Sequence, residues 1–173
     1  MRAVRQFAAM CALAASAYAM GDIRLDVPFI AQPEDGCGAA SIVMLMQYWH
    51  REQPSAPKAP NVTDLLPLIS RDARGMYATD VSHYLDQHGF RTFALHGAWA
   101  DVEEQLGKGR PLLVALQPKG GPVHYVLLTG IDAGSGAILK NDPAVRKDVL
   151  QHKQEFLEQW KRAGFWMLLA VPA

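Results

Sequence analysis

The chain of 173 residues is half hydrophobic and balances 17 basic against 17 acidic side chains, for a formal net charge of +0. A chain of this size builds one domain around one core. Its neutrality gives no basic face for nucleic acid and no attraction to an anionic membrane surface.

At the N-terminus Arg2 and Arg5 precede an apolar run over 7–17, and Ala17-Tyr18-Ala19 offers small residues where a signal peptidase reads them. Residues 1–19 therefore read as a secretory signal peptide cleaved after Ala19. As a membrane span the run is too short, since a span needs about 20 apolar residues. Lipidation at Cys11 is disfavoured, because Ala8-Ala9-Met10 lacks the leucine and small residue expected before a lipidated cysteine. The expected product is one domain over 20–173, exported to the periplasm or the extracellular space, with no stable membrane insertion. Loss of Arg2 and Arg5 leaves 15 basic against 17 acidic residues, and loss of Cys11 leaves Cys37 as the sole cysteine. An unpaired thiol in an oxidising compartment is a liability, so reactivity explains its presence better than packing does.

The exported chain opens with an alternating strand over 23–27, which Pro28 ends or confines to a sheet edge. A turn-forming Asp35-Gly36 then leads into Cys37, and the run from Ser41 to Trp49 is apolar nearly all round, as a helix buried on most sides would be. Cys37 thus stands at a helix N-terminus, where unpaired backbone N–H groups and the helix dipole favour a thiolate. Gln32 lies five residues earlier. There its amide, beside the Cys37 N–H, can supply the two donors that an acyl-transfer oxyanion needs.

Prolines 54, 57 and 60 mark a stiff surface loop, and Thr63 is expected to cap a short helix from Asp64. A second helix starts at Thr79 or Asp80, turns Val81, Tyr84, Leu85 and His88 to one face, and stops at Gly89. His83 and His88, five apart, point to different faces, and neither they nor His50, His96 or His152 forms a metal-ligand spacing. No metal or cofactor is expected. A strand over 90–95, a short helix over 99–106 and strands over 111–116, 123–129, 137–140 and 165–171 follow, with a helix over 154–161 packed among them.

A hairpin turn over 131–136 would oppose His124 to about residue 143, making Asp142 its cross-strand or diagonal neighbour. The pair, with a helix-capped cysteine elsewhere, suggests a Cys37–His124–Asp142 triad in which His124 is the base and Asp142 its orienter. The same three residues could instead hold zinc, although that site would need no Gln32 at its offset.

Val27-Pro28-Phe29-Ile30-Ala31-Gln32, Asp35-Gly36-Cys37-Gly38-Ala39-Ala40, Val123-His124-Tyr125-Val126 and Asn141-Asp142-Pro143 stand in an order that resembles the bacteriocin-processing (double-glycine leader) peptidase family of papain-like cysteine peptidases. The resemblance covers nearly all of the chain after residue 22. It implies a papain-like α+β fold with the nucleophile helix packed on an antiparallel sheet, a peptide or protein substrate, and roles for Cys37 as nucleophile, His124 as base, Asp142 as orienter and Gln32 as oxyanion donor. Family members are best known as domains fused to peptide exporters, so a signal peptide suggests a stand-alone secreted form. A thiol acyltransferase or amidase would use the same residues, and a non-catalytic peptide-binding domain on the same fold would be expected to have lost one catalytic position.

Overall fold

The structure, a computed structural model, describes residues 21–173. The signal-peptide segment 1–19 and Cys11 lie outside the described residues. The centre of the fold is an antiparallel sheet in the order β2 (Phe90–His96), β7 (Trp166–Pro172), β3 (Leu112–Leu116), β4 (His124–Ile131), β5 (Ile138–Asp142), β6 (Arg146–Gln151), with the two-residue β1 (Ile23–Arg24) on β4. Alternation along the strands fills two cores. Leu113, Ala115, Tyr125, Leu127, Leu168 and Ala170 face helices α1 (Cys37–Glu52) and α2 (Ala78–Gln87). Leu112, Val114, Leu116, Val126, Leu128 and Met167 face α3 (Trp99–Gly107) and α4 (Lys153–Arg162) on the other side.

Helix α1 forms where the sequence is apolar on every side, and it is buried on nearly every side: Ile42, Val43, Met44, Leu45 and Met46 are all at most 1% exposed. Each such side chain contributes about 1.5–3 kcal/mol by leaving water, which anchors the helix that begins at Cys37. Helices α3 and α4 are amphipathic instead, burying Val102 and Leu106, and Phe156 and Trp160. Trp160 Nε1 donates to the Trp166 carbonyl at 2.9 Å, so burying its indole leaves no unpaired donor.

Several local expectations change. Strand 23–27 shrinks to Ile23–Arg24 because β3 already pairs β4 up to Leu128, leaving only Gly130 and Ile131 free on that edge. At Gly130 a Cβ would lie 2.1 Å from the Ile23 carbonyl oxygen, so only glycine lets β1 approach. The segment after the proline loop is a 3-10 helix, Val62–Leu68, and the Asp64 carboxylate caps it by accepting the Asn61 N–H at 3.0 Å; Thr63 is not the cap. His88 is exposed rather than inward, at the C-terminal end of α2, stacked on Tyr84 at 3.9 Å between ring centroids. Strand β6 was not expected. Its Arg-Lys-Asp start carries no apolar alternation, and an edge strand tolerates that.

Candidate active site

Four segments converge at one end of the sheet. The turn before α1 places Asp35 in the left-handed region (φ 53°) and then needs glycine: a Cβ on Gly36 would lie 2.5 Å from Pro33 Cγ. Gly36 also has no side chain to cap α1, so the first-turn N–H groups stay free for the cysteine that follows. Hydrogen bonding toward the His124 imidazole and the backbone N–H groups of Tyr125 and Gly38 favours the Cys37 thiolate. Burial pushes its thiol up, but these bonds and the imidazole charge outweigh burial, and the net pKa lies below the ordinary 9.0.

His124 opens β4, and its Nε2 lies 2.7 Å from Asp142 Oδ1 at the end of β5. The parity that lets them meet comes from a bulge. Near the turn Ile131 opposes Ile138 and Gly130 opposes Leu139, a register that would put Asp142 across from Leu127, on the α1 face. Thr129 is the extra residue, and beyond it Leu128 opposes Lys140 and Leu127 opposes Asn141. Continued by one position, that register sets Asp142 across from Val126, on the same face as His124. Without the bulge the two side chains would point to opposite faces.

Burial lowers the imidazole pKa, but the Asp142 hydrogen bond, the Cys37 hydrogen bond and the charges of both partners reverse it, and His124 is raised from 6.5 to about 9. For Asp142, burial raises the pKa; the His124 hydrogen bond and charge, the Lys140 ammonium and the Ala144 N–H together hold it below 3.8. Thiol and imidazole are thus poised as a thiolate–imidazolium pair.

The residue after β4's first also matters. The Tyr125 hydroxyl is pushed up to about 12 by burial and by the nearby Cys37 and Asp80 charges, so it stays protonated beside the thiolate. Asn141 was not singled out from the sequence, yet it joins the two halves of the site. Its Nδ2 donates to the Val27 and Pro28 carbonyls at 3.2 and 3.3 Å, while its Oδ1 accepts the Asp148 N–H. The Asn-Asp-Pro run was the available signal: side chains alternate along a strand, so the residue beside Asp142 must face the segment on the opposite side.

Gln32 follows that segment, and its N–H donates to the Pro143 carbonyl at 2.9 Å, one residue beyond Asp142. Its Oε1 is buried and has no hydrogen-bond partner among the described residues. Gln32, Cys37, His124 and Asp142 line one cleft of about 340 Å³. A second hollow of about 410 Å³ lies on the far side of Cys37 and shares Arg74, Pro122 and Val123 with the first. Cys37 therefore lines both hollows. His50, His88 and His96 bond backbone carbonyls elsewhere, through Nδ1 to Ala56, Tyr84 and Gly164.

Residues 24–167 match the model of the Peptidase_C39 like family. Among solved structures, a candidate C39-like peptidase from Bacillus anthracis is similar at 18% identity and a TM-score of 0.71, over 89% of this chain and 99% of its own. A double glycine motif protease from an AMS/PCAT transporter, solved in complex with the leader peptide, is similar at 23% identity and a TM-score of 0.65, over 89% and 99%. The peptidase domain of Streptococcus ComA, a bi-functional ABC transporter of a quorum sensing pathway, is similar at 16% identity and a TM-score of 0.66, over 84% and 98%. At these identities the structures establish the mixed α+β, papain-like fold. No curated protein matches the chain in sequence.

Proposed function

This chain belongs to the Peptidase_C39 like family, whose members support cysteine peptidase activity in general, and we propose that it hydrolyses peptide bonds through a Cys37–His124–Asp142 triad with Gln32 in the oxyanion hole. The observation that carries this reading is the convergence of all four residues on one cleft, with His124 Nε2 2.7 Å from Asp142 Oδ1. The Cys37 thiolate attacks the amide carbonyl, and the tetrahedral oxyanion is held by the Cys37 N–H and the Gln32 amide. The C–N bond breaks as the His124 imidazolium gives its proton to the leaving amine, leaving a thioester on Cys37. His124 then takes a proton from water, whose oxygen attacks the thioester; the C–S bond breaks, and the product acid leaves with the thiolate restored. Asp142 holds the ring and stabilises its charge throughout.

The substrate class is a peptide or protein segment laid along the groove that crosses Cys37. The leader peptide bound to the AMS/PCAT neighbour supports an extended peptide in that place. Arg2, Arg5 and the apolar run over 7–17 support export of the domain over 20–173 to the periplasm or beyond. Incubating the protein with a peptide library, with and without an amine acceptor, should yield new free termini in both arms, and Cys37→Ala should lose at least about four orders of magnitude of turnover while unfolding as wild type does. Products found only with the amine would mark an acyltransferase, and full activity in Cys37→Ala would end the reading.

A further inference from the structure

Behind the triad, on the α3/α4 side of the sheet, lies a cavity of about 320 Å³ bounded by His124, Asp142, Lys140, Gln151, Glu155 and Gln159. Lys140 is 6% exposed, and among the described residues it is the only lysine or arginine in the buried class. A buried ammonium is costly unless it is paired and hydrogen-bonded, so its placement requires a partner. Its Nζ lies 3.4 Å from Asp142 Oδ2, and the other oxygen of the same carboxylate, Oδ1, is the one that meets His124. The alternation of β5 makes this possible: positions 140 and 142 share a face, whereas Asn141 between them faces the other way.

We propose that Lys140 is a positioning residue of the reaction, a fourth member of the array that fixes Asp142 by its second oxygen and moderates the carboxylate's grip on the His124 imidazolium. The inference rests on the reading of Cys37, His124 and Asp142 as the reacting set. An imidazolium that donates to a leaving amine must hold its proton, yet must also give it up. A carboxylate alone in a buried site would make it too strong a base. The ammonium on the far side of Asp142 neutralises part of that charge and repels the imidazolium. The charged groups around the array are Cys37 from α1, His124 from β4, Lys140 and Asp142 from β5, Glu155 from α4, and Asp35 and Arg74 along the cleft. Only Lys140 is both buried and paired with the second oxygen of Asp142. Burial lowers the Lys140 pKa, while the Asp142 and Glu155 charges oppose that shift.

The test compares Lys140→Met, Lys140→Arg and wild type by the NMR titration of the His124 ring and by kcat and KM across pH. In Lys140→Met the imidazole titration should move up from about 9 by about one pH unit, with the alkaline limb of kcat following it, and kcat at neutral pH should fall by up to about tenfold at unchanged KM. Lys140→Arg should restore the wild-type titration. If Lys140→Met fails to fold, Lys140→Gln, which keeps a polar head in the same pocket without the charge, supplies the reading by the same upward shift. An unmoved titration in the folded variants overturns the proposal, even if kcat falls, because that outcome is lost packing. The titration needs no turnover: a wild-type protein that cleaves nothing would sink the assigned function and still decide the role of Lys140.

Discussion

The two faces of the sheet are filled alike in their interior and differ at one end. On the α1 face the apolar packing of Leu113, Ala115 and Leu127 continues up to Cys37, whose neighbours there are hydrophobic. On the α4 face the packing of Val114, Leu116 and Val126 gives way to Lys140, Asp142 and Gln151, all buried and polar. The proposed nucleophile therefore comes from a helix set in apolar packing, and its proposed base and orienter come from strand ends set in a polar pocket. They meet because His124 is the first residue of β4, at the rim where both faces are within reach. Stability and chemistry are separable in such an arrangement. The core holds the helix and the sheet, so a rim residue such as Gln32 can be changed with little loss of fold, whereas losing the Asp142 charge leaves the buried Lys140 ammonium without its partner.

The largest effect that sharpens this contrast is expected on the α1 side, at Gln32. In the proposed mechanism its amide meets charge that exists only in the transition state, so Gln32→Ala should lower kcat by about a hundredfold with KM little changed and thermal unfolding unaltered. Steady-state kinetics on a cleaved library peptide decides it. Equal kcat values would make Gln32 a backbone spacer tied to Pro143 and nothing more.

A smaller effect is expected across the sheet, at Asp142. Asp142→Asn keeps a hydrogen-bonding side chain on the His124 face but removes the charge that stabilises the imidazolium. Turnover should fall by about tenfold, the weight of one pKa unit, while alkylation of Cys37 persists. The same variant should lose Lys140's ion pair, so a Lys140→Met, Asp142→Asn double variant should be no worse than Asp142→Asn alone. Strictly additive losses would show that the two residues act independently.

How far these sites were legible in the sequence follows from what each depends on. Cys37 at a helix start is written in local chemistry: a turn, a glycine, then an apolar run. The meeting of His124 with Asp142 was approachable from the turn position, but its parity depended on the bulge at Thr129, whose one local signal, Gly130, equally marks the close approach of β1. A threonine in a β-rich run looks like any other strand residue, and only pairing on both sides of it reveals the extra position. Strand β6 was invisible for the opposite reason. Its Arg146-Lys147-Asp148 start carries charge and a left-handed Asp148 (φ 56°), features of a turn, and the strand exists because β5 offers an unpaired edge. Lys140 read as an ordinary polar strand residue. Its burial is a property of α4 lying over β5 and of Asp142 two positions on, both of them tertiary facts.

The last test changes no residue and assigns each limb of a pH profile to one face. Cys37 titrates below 9.0, so its thiolate is already present at a pH where a free thiol is mostly protonated, and iodoacetamide should alkylate it there. Alkylation needs only the thiolate, so its rate should rise with pH and then level off without falling. Turnover needs the imidazolium as well, to protonate the leaving amine. His124 is raised to about 9, so its proton is held below that pH and lost above it. Turnover should accordingly rise with the thiolate on the acid side and decline through about pH 9, while alkylation measured in parallel does not decline. The separation of the two curves above pH 9 belongs to His124 and Asp142, and their coincidence below it belongs to Cys37. If alkylation instead begins only near 9.0, the thiol is not activated. If turnover climbs through pH 9 together with alkylation, the group that serves the leaving amine is not His124.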